Sequence, residues 1–411
     1  MSVLVFAGAA QIVTPASRAK PQRGRRMGDV KVWKNASIAV DPKTGTILEV
    51  GTRVKLRGVQ VVDAGGRIIL PGFVDSHTHP VYGGSRVGEF IARAQGKSYM
   101  EILKQGGGIL FTVKATRKAS DAALRDRTAG VFHQMLLHGT TSLEAKTGYG
   151  LSAKEELREL KILRDAAKKS PLDVFPTFLG AHAVPPEYKK NPGRYVDLVC
   201  DEMIPAVAKS KLASFCDVFC EEGVFSVAES RRILEAARRH GIGLRLHADE
   251  FEPIGGTELG VELKALSADH LMGISDGGVR ALAGSDTAAV LLPCTSFFLG
   301  KEKYAPARRL VDAGAVVALA TDFNAGSNLC FSMQMAASLG ILQMKLTPEE
   351  ALTAATLHGA HALGIADRAG SLHPGKQADF VLYPGNDYRE LFYRYGTNQA
   401  ETIVKKGKVV R

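Results

Sequence analysis

Phe73-Val74-Asp75-Ser76-His77-Thr78-His79-Pro80 reads as the end of a buried strand that runs straight into two imidazoles. The turn pair Pro71-Gly72 introduces it, and Phe73, Val74 and Asp75 continue as extended chain. Residues two apart on a strand face the same side, so His77 and His79 converge on one face. Two neutral imidazoles on a rigid element make half of a zinc-type site. With 11 His among 411 residues, one HxH pair is weak evidence by itself, so matching ligands must come from elsewhere in the chain.

Outward from this stretch the pattern is strand, turn, helix, repeated. Predicted strands are Gly72–His79, Thr141–Lys146, Val174–His182, Cys216–Glu221, Gly243–Ala248, Ala265–Leu271, Ala288–Pro293 and Val316–Asp322. Helical periodicity falls between them at Asp121–His138, Ala153–Lys169, Val227–His240 and Ala305–Ala313. Longer helices are expected over Glu202–Ser214 and Ser327–Leu346, covering the outside. Eight such units predict an α/β fold, a (β/α)8 TIM-type barrel over residues 67–370. An open doubly wound sheet would want GxGxxG after its first strand, and none stands there. Residues 1–66 alternate short apolar runs with turn residues such as Asp41-Pro-Lys-Thr-Gly45. Residues 371–411 return to short strands. The two chain ends are expected to pair into one small β-sandwich-like domain.

Barrel enzymes carry their chemistry at the C-terminal ends of the strands. Those ends hold His77 and His79, His182, His247 (with Asp249 and Glu250 just beyond), His270 and Asp322. His133, His138, His240, His358 and His361 fall on helices or helix ends and read as surface or packing residues. Three His and one carboxylate suit a borderline divalent cation, so His77, His79, His247 and Asp322 are the expected ligands. Such a cation lowers the pKa of a bound water toward about 7. His270 and Glu250 stand close enough in the chain to orient that water or shuttle a proton, as does Asp322 itself. The fourth strand, ending DVFCEEGVF, offers no Lys to bridge a second metal. Lys146 at the second strand's end reads as an ion-pair partner, and the site as mononuclear. The run Gly106–Ile109 lacks the Lys-Ser/Thr of a P-loop and reads as a turn or lid near the site.

Composition narrows the function. The net charge of +11 is spread along the chain, its one local cluster being Arg18 to Arg26, and no aromatic interleaving marks a nucleic-acid surface. The charge fits a small anionic substrate instead. Five cysteines without a CxxC pair point to a reduced, cytoplasmic setting. The opening MSVLVFAGAAQIV has no basic leader and reads as a strand. No apolar run approaches the roughly 20 residues that span a bilayer. Neither a nucleic-acid nor a membrane partner is expected.

The strand-end pattern, with HTHPVYGGSR, QGGGILFTVKATR, EAKTGYGL, TFLGAHAVPPEY, LHADEF, SADHL and ATDFNAGS, resembles the metal-dependent amidohydrolase superfamily. Within it, the chain is similar to the branch that hydrolyses the cyclic amide of 4-imidazolone-5-propanoate to N-formimidoyl-L-glutamate in histidine degradation. The resemblance implies one metal ion per chain, zinc first and iron next, and a homodimer. It implies substrate contacts at Arg86, Tyr149, His182, Glu250, Asn324, Gly326 and Ser327, the last standing where some relatives carry Thr. His270 resembles the residue beside the attacking water. A propanoate wants a guanidinium able to grip it bidentately, which suits Arg86. Which of Asp322, Glu250 and His270 is the base stays open at this level. A related cyclic-amide hydrolase or heterocycle deaminase would share the metal set, and a non-catalytic metal-binding or nucleic-acid-binding protein would need neither His270 nor Glu250.

Overall fold

The computed structural model describes residues 3–54, 59–97, 101 and 106–411. Five strands open the chain: β1 (Val3–Pro15), β2 (Val30–Asp41), β3 (Thr46–Gly51), β4 (Val59–Asp63) and β5 (Ile68–Pro71). The turn at Asp41–Gly45 joins β2 and β3 as an antiparallel pair, with Gly45 N donating to Asp41 O at 2.8 Å. Eight strands follow: β6 (Phe73–Asp75), β7 (Thr140–Lys146), β8 (Asp173–Ala181), β9 (Phe215–Cys220), β10 (Gly243–Ala248), β11 (Ser267–His270), β12 (Ala288–Leu291) and β13 (Val316–Leu319). Each pairs in parallel with the next in chain order, as a (β/α)8 barrel requires. The chain ends with β14 (Phe380–Tyr383), β15 (Thr402–Lys405) and β16 (Lys408–Val409). Both ends share one mixed sheet in the order β16-β15-β14-β5-β1-β2-β3, with β4 beside β1. The expected joint domain of the two termini is therefore a single sheet, and β5 carries the chain from it into the barrel.

The barrel's last seam is made just beyond its strands. Thr78 and Phe323 form a parallel bridge, His79 N donates to Phe323 O at 2.7 Å, and Asp322 N donates to His77 O at 3.0 Å. One turn lower, Thr321 N and Oγ1 both donate to the Asp75 carboxylate, at 3.0 and 2.6 Å. The backbone that closes the barrel is thus the backbone that carries three of the four expected metal ligands.

Local chemistry explains the surrounding helices. Ser226 and Glu229 form a capping box at the start of the helix Val227–Arg239. Ser120 and Ser152 cap Asp121–Leu137 and Ala153–Ala167 with the serine side chain alone, accepting from Ala123 N and Glu155 N. Leu246 points outward on β10, where Gly260 of the helix Gly256–Glu262 packs on it, while Arg245 and His247 alternate inward. The helix expected over 327–346 is shorter, Met333–Met344. Asn324 Oδ1 accepts from the N–H groups of Gly326 and Ser327, both at 2.8 Å, which holds the preceding segment in a turn. Helix begins only where Ser332 can cap it through Met335 N. Among the described residues no helix is long and apolar enough to cross a membrane.

Candidate active site

His77, His79 and His247 meet at the barrel mouth, all buried, with their ligand atoms within 4.8 Å of one another. His79 Nε2 lies 3.2 Å from His77 Nε2 and 3.4 Å from His247 Nε2. Asp322 Oδ1 joins them at 3.6 Å from His77 and 3.5 Å from His79. Two of the three rings have their outer nitrogens committed. His77 Nδ1 lies 2.7 Å from Asp269 Oδ2, and His247 Nδ1 lies 3.1 Å from Asp217 Oδ1. Carboxylates only accept, so each Nδ1 carries the proton and each Nε2 turns a lone pair inward. Lone pairs and a carboxylate oxygen facing one another this closely repel unless a cation sits among them. The donor set fits a divalent metal.

Charge counting gives the same answer. Beneath the imidazoles, Lys146 Nζ lies 2.7 Å from both Glu144 Oε1 and Asp217 Oδ2, and Arg245 Nη2 lies 3.3 Å from Asp269 Oδ2. All five of these side chains are fully buried. Counting the imidazoles as neutral ligands, four carboxylates (Glu144, Asp217, Asp269, Asp322) face two cations (Lys146, Arg245), which leaves two negative charges. A divalent ion restores neutrality in a region where an unpaired charge is costly. Asp75 stands apart from this count, because burial pushes its carboxyl up to about 7. Lys146 is an ion-pair residue, in keeping with the expectation from its strand position.

A cavity of about 700 Å³ opens over this cluster. It is lined by His79, His247, Asp322, His270, Glu250, His182, Tyr149, Arg86, Asn324, Gly326 and Ser327, so every expected site residue except the deeper His77 borders one space. His270 Nδ1 lies 3.6 Å from Glu250 Oε1. His182 stacks on His79, centroids 5.2 Å apart, and its Nδ1 lies 3.0 Å from the carbonyl of Gly148. Asn324 is engaged on both ends: its Nδ2 donates to Asp322 Oδ1 and Ser327 Oγ, at 3.1 and 2.8 Å. Asp249, His270, Leu271 and Asp322 all adopt positive φ, between 48° and 81°, so backbone strain collects at this rim. One expectation needs correcting. Arg86 does not hold its side-on edge open for a ligand: Nε and Nη2 bind Glu89 at 2.9 and 2.7 Å. Its guanidinium lies against Gly326, where a Cβ would come within 1.8 Å of Nη1. The run at Gly106–Gly108 is a turn that starts the helix Ile109–Lys118, and Gly108 N donates to Glu89 Oε1 at 3.0 Å.

The Amidohydrolase family profile matches residues 68–410. An imidazolonepropionase of Geobacillus kaustophilus is 48% identical, covering 100% of this chain and 98% of its own. One of Porphyromonas gingivalis is 44% identical over 98% and 96%. The chain belongs to the imidazolonepropionase family of amidohydrolases. Solved structures share its fold at low identity, among them the guanine deaminase of E. coli (16% identical, TM-score 0.74, covering 100% of this chain and 99% of the other).

In this imidazolonepropionase-family chain, several residues that shape the site were not singled out in the sequence. Thr295 Oγ1 donates to Asp322 Oδ2 at 2.6 Å and fixes the carboxylate from the helix after β12. Asp217 and Asp269 fix the two imidazoles. Asp217 is a lone carboxylate in the otherwise apolar strand Phe215–Cys220, and Asp269 directly precedes His270 in a strand of small residues, which marks both as inward-facing candidates without naming their partners. Glu89 was visible only as an Arg-x-x-Glu spacing, which also describes an ordinary surface ion pair.

Electrostatics separate the two carboxyls that face the cavity. Burial, reinforced by Asp322 and Glu221, pushes Glu250 up to about 8. In the unfolded chain a Glu titrates near 4.5, so between these values the native state holds a proton that the unfolded state has released. Stability therefore falls as pH rises through that window and levels off above it. Glu250→Gln removes the effect. Its melting temperature relative to the parent should climb from about pH 4.5 to about pH 8 and then stay flat. A difference that does not change with pH would show that Glu250 is not held protonated.

Proposed function

We infer that the chain hydrolyses the cyclic amide of 4-imidazolone-5-propanoate, giving N-formimidoyl-L-glutamate. Full-length identity of 48% to a curated imidazolonepropionase carries the reading. A buried ligand cluster facing a cavity that also holds Arg86 fits it. Zinc suits three imidazoles and one carboxylate best, and iron next. A divalent cation held by His77, His79, His247 and Asp322 would supply Lewis acidity to a water and to the ring carbonyl. Asp322, oriented by Thr295 and Asn324, is placed to take the water's proton. His270 stands beside the attacking water and donates toward the oxygen on which charge develops. Glu250, raised to about 8, carries a proton at neutral pH and can deliver it to the departing ring nitrogen as the C–N bond breaks. Arg86 receives the propanoate on the part of its fork that Glu89 leaves open. A cytoplasmic homodimer is the setting we propose for it.

The test generates imidazolone propanoate enzymatically from urocanate and follows the loss of its ultraviolet absorbance, with a chelator-treated control. Metal-dependent loss with formimidoylglutamate as product is the expected result. No loss from protein with bound metal would move the substrate to another cyclic amide or an aminated heterocycle. In the same assay Arg86→Gln should raise KM by about tenfold or more with kcat little changed. An unchanged KM would remove Arg86 from the carboxylate subsite.

A further inference from the structure

The helix Val87–Ala94 begins directly after Arg86 and carries Glu89 and Arg93 on successive turns. Glu89 is saturated: its two oxygens take Arg86 Nε and Nη2, and Oε1 also accepts Gly108 N. Arg93 Nη2 donates to the Gly326 carbonyl at 3.2 Å, and its guanidinium lies 5.3 Å from the ring centre of Phe298. Among the described residues Arg93 makes no ion pair of its own. Both guanidiniums therefore converge on Gly326, one packed against its Cα and one bound to its oxygen, and both border the cavity.

At Gly326 two guanidiniums stand against one carboxylate, and Lys97 adds a further cation to the lining of the same cavity. Arg86 and Glu89 are nearly buried, with side chains 10% and 11% exposed, so solvent screens the excess only weakly. Arg93 responds to the same surroundings: burial first, and then the charge of Arg86, pulls its guanidinium below its usual range. Crowding two like charges beside a single acid is unfavourable in the empty cavity and becomes favourable when an anion enters. Arg86 cannot provide that anion's whole partner set, because Glu89 occupies its side-on edge.

We propose that Arg93 is a specificity-determining residue that, with Arg86, forms a two-guanidinium subsite at Gly326 for the substrate's side-chain carboxylate. Within the guanidinium pair Glu89 neutralises one cation and leaves the other for the carboxylate, with Lys97 adding to the positive field of the same cavity. The inference rests on the reading of Arg86 as a carboxylate contact, and goes beyond it in assigning the second cation.

The experiment compares imidazole-4-propanoate with imidazole-4-propanamide as competitive inhibitors of the metal-loaded enzyme. Arg93→Gln should weaken the acid about tenfold, equivalent to about 1.4 kcal/mol, and leave the amide within about twofold. KM for the substrate should rise in parallel while kcat holds, and Arg93→Lys should recover most of the loss by restoring the charge. Arg93→Met gives the same comparison if the Gln variant is poorly soluble. Equal weakening of acid and amide, or none of either, overturns the proposal. Arg86→Gln is the control. If it too fails to separate acid from amide, the carboxylate reading of the cavity falls; if it separates them and the Arg93 variants do not, only the second cation falls.

Discussion

Replacing His247 with Ala should leave the purified chain almost free of metal and lower kcat/KM by at least about 10⁴-fold. His247 Nε2 is one of three imidazole donors at the site, and Asp322 Oδ1 is the carboxylate oxygen that faces them. Removing one donor from four leaves too few ligands to hold a divalent ion firmly. The scaffold should survive the change. Asp217, which loses the imidazole Nδ1–H, keeps Lys146 Nζ at 2.7 Å and the backbone N–H of residue 247 at 3.1 Å. Asp217 is not orphaned, so the fold should stay cooperative, though less stable than the metal-loaded parent by the two negative charges that the ion balanced, while elemental analysis shows the metal gone. Full activity in a metal-free variant would sink the single-metal scheme.

The same residues show what a sequence can and cannot reveal. His77, His79, His247 and Asp322 were legible because a barrel reduces their position to one variable, distance from a strand end. His182 and His270 followed by the same rule. Strand existence and order were legible too, since strands such as Ala288–Leu291 and Val316–Leu319 are short apolar runs bounded by turn residues and the rest recur between helical stretches. The pairing of second-layer groups was not. Asp217 and Asp269 reach imidazoles carried elsewhere, His247 on β10 and His77 just past the end of β6, and that choice depends on how the barrel's register staggers its layers. Arg86 shows a subtler failure. It borders the cavity as its loop position suggested, but the sequence does not say that Glu89, three residues on, would take its side-on edge. Ser327–Ser332 falls inside the helix expected over Ser327–Leu346. The side chain of Asn324 instead takes the N–H groups of Gly326 and Ser327 into a turn, and the helix starts at Met333 under the Ser332 cap.

Lys146→Met should destabilise the metal-free protein by about 3–5 kcal/mol, read as a lower urea midpoint at an unchanged m value. Methionine fills the space, so the cost is electrostatic. It strands Glu144 and Asp217, each 2.7 Å from Nζ, and Asp269 at 3.8 Å, with Arg245 as the remaining cation beneath the imidazoles. Adding Glu144→Gln should recover part of the loss, because it removes one of the stranded charges. Metal makes the prediction sharper. In the parent the buried cluster carries two negative charges without the ion and none with it; in the variant it carries three and one. The cation therefore interacts more favourably with the variant's site, since it no longer meets the positive charge of Lys146. His247 is still held by Asp217, so the ligand geometry persists. By linkage, saturating metal should stabilise Lys146→Met more than the parent, and the gap between the two unfolding midpoints should narrow. A gap of the same size with and without metal would mean that Lys146 serves the fold alone, and that the charge of the buried floor is not matched to a divalent ion.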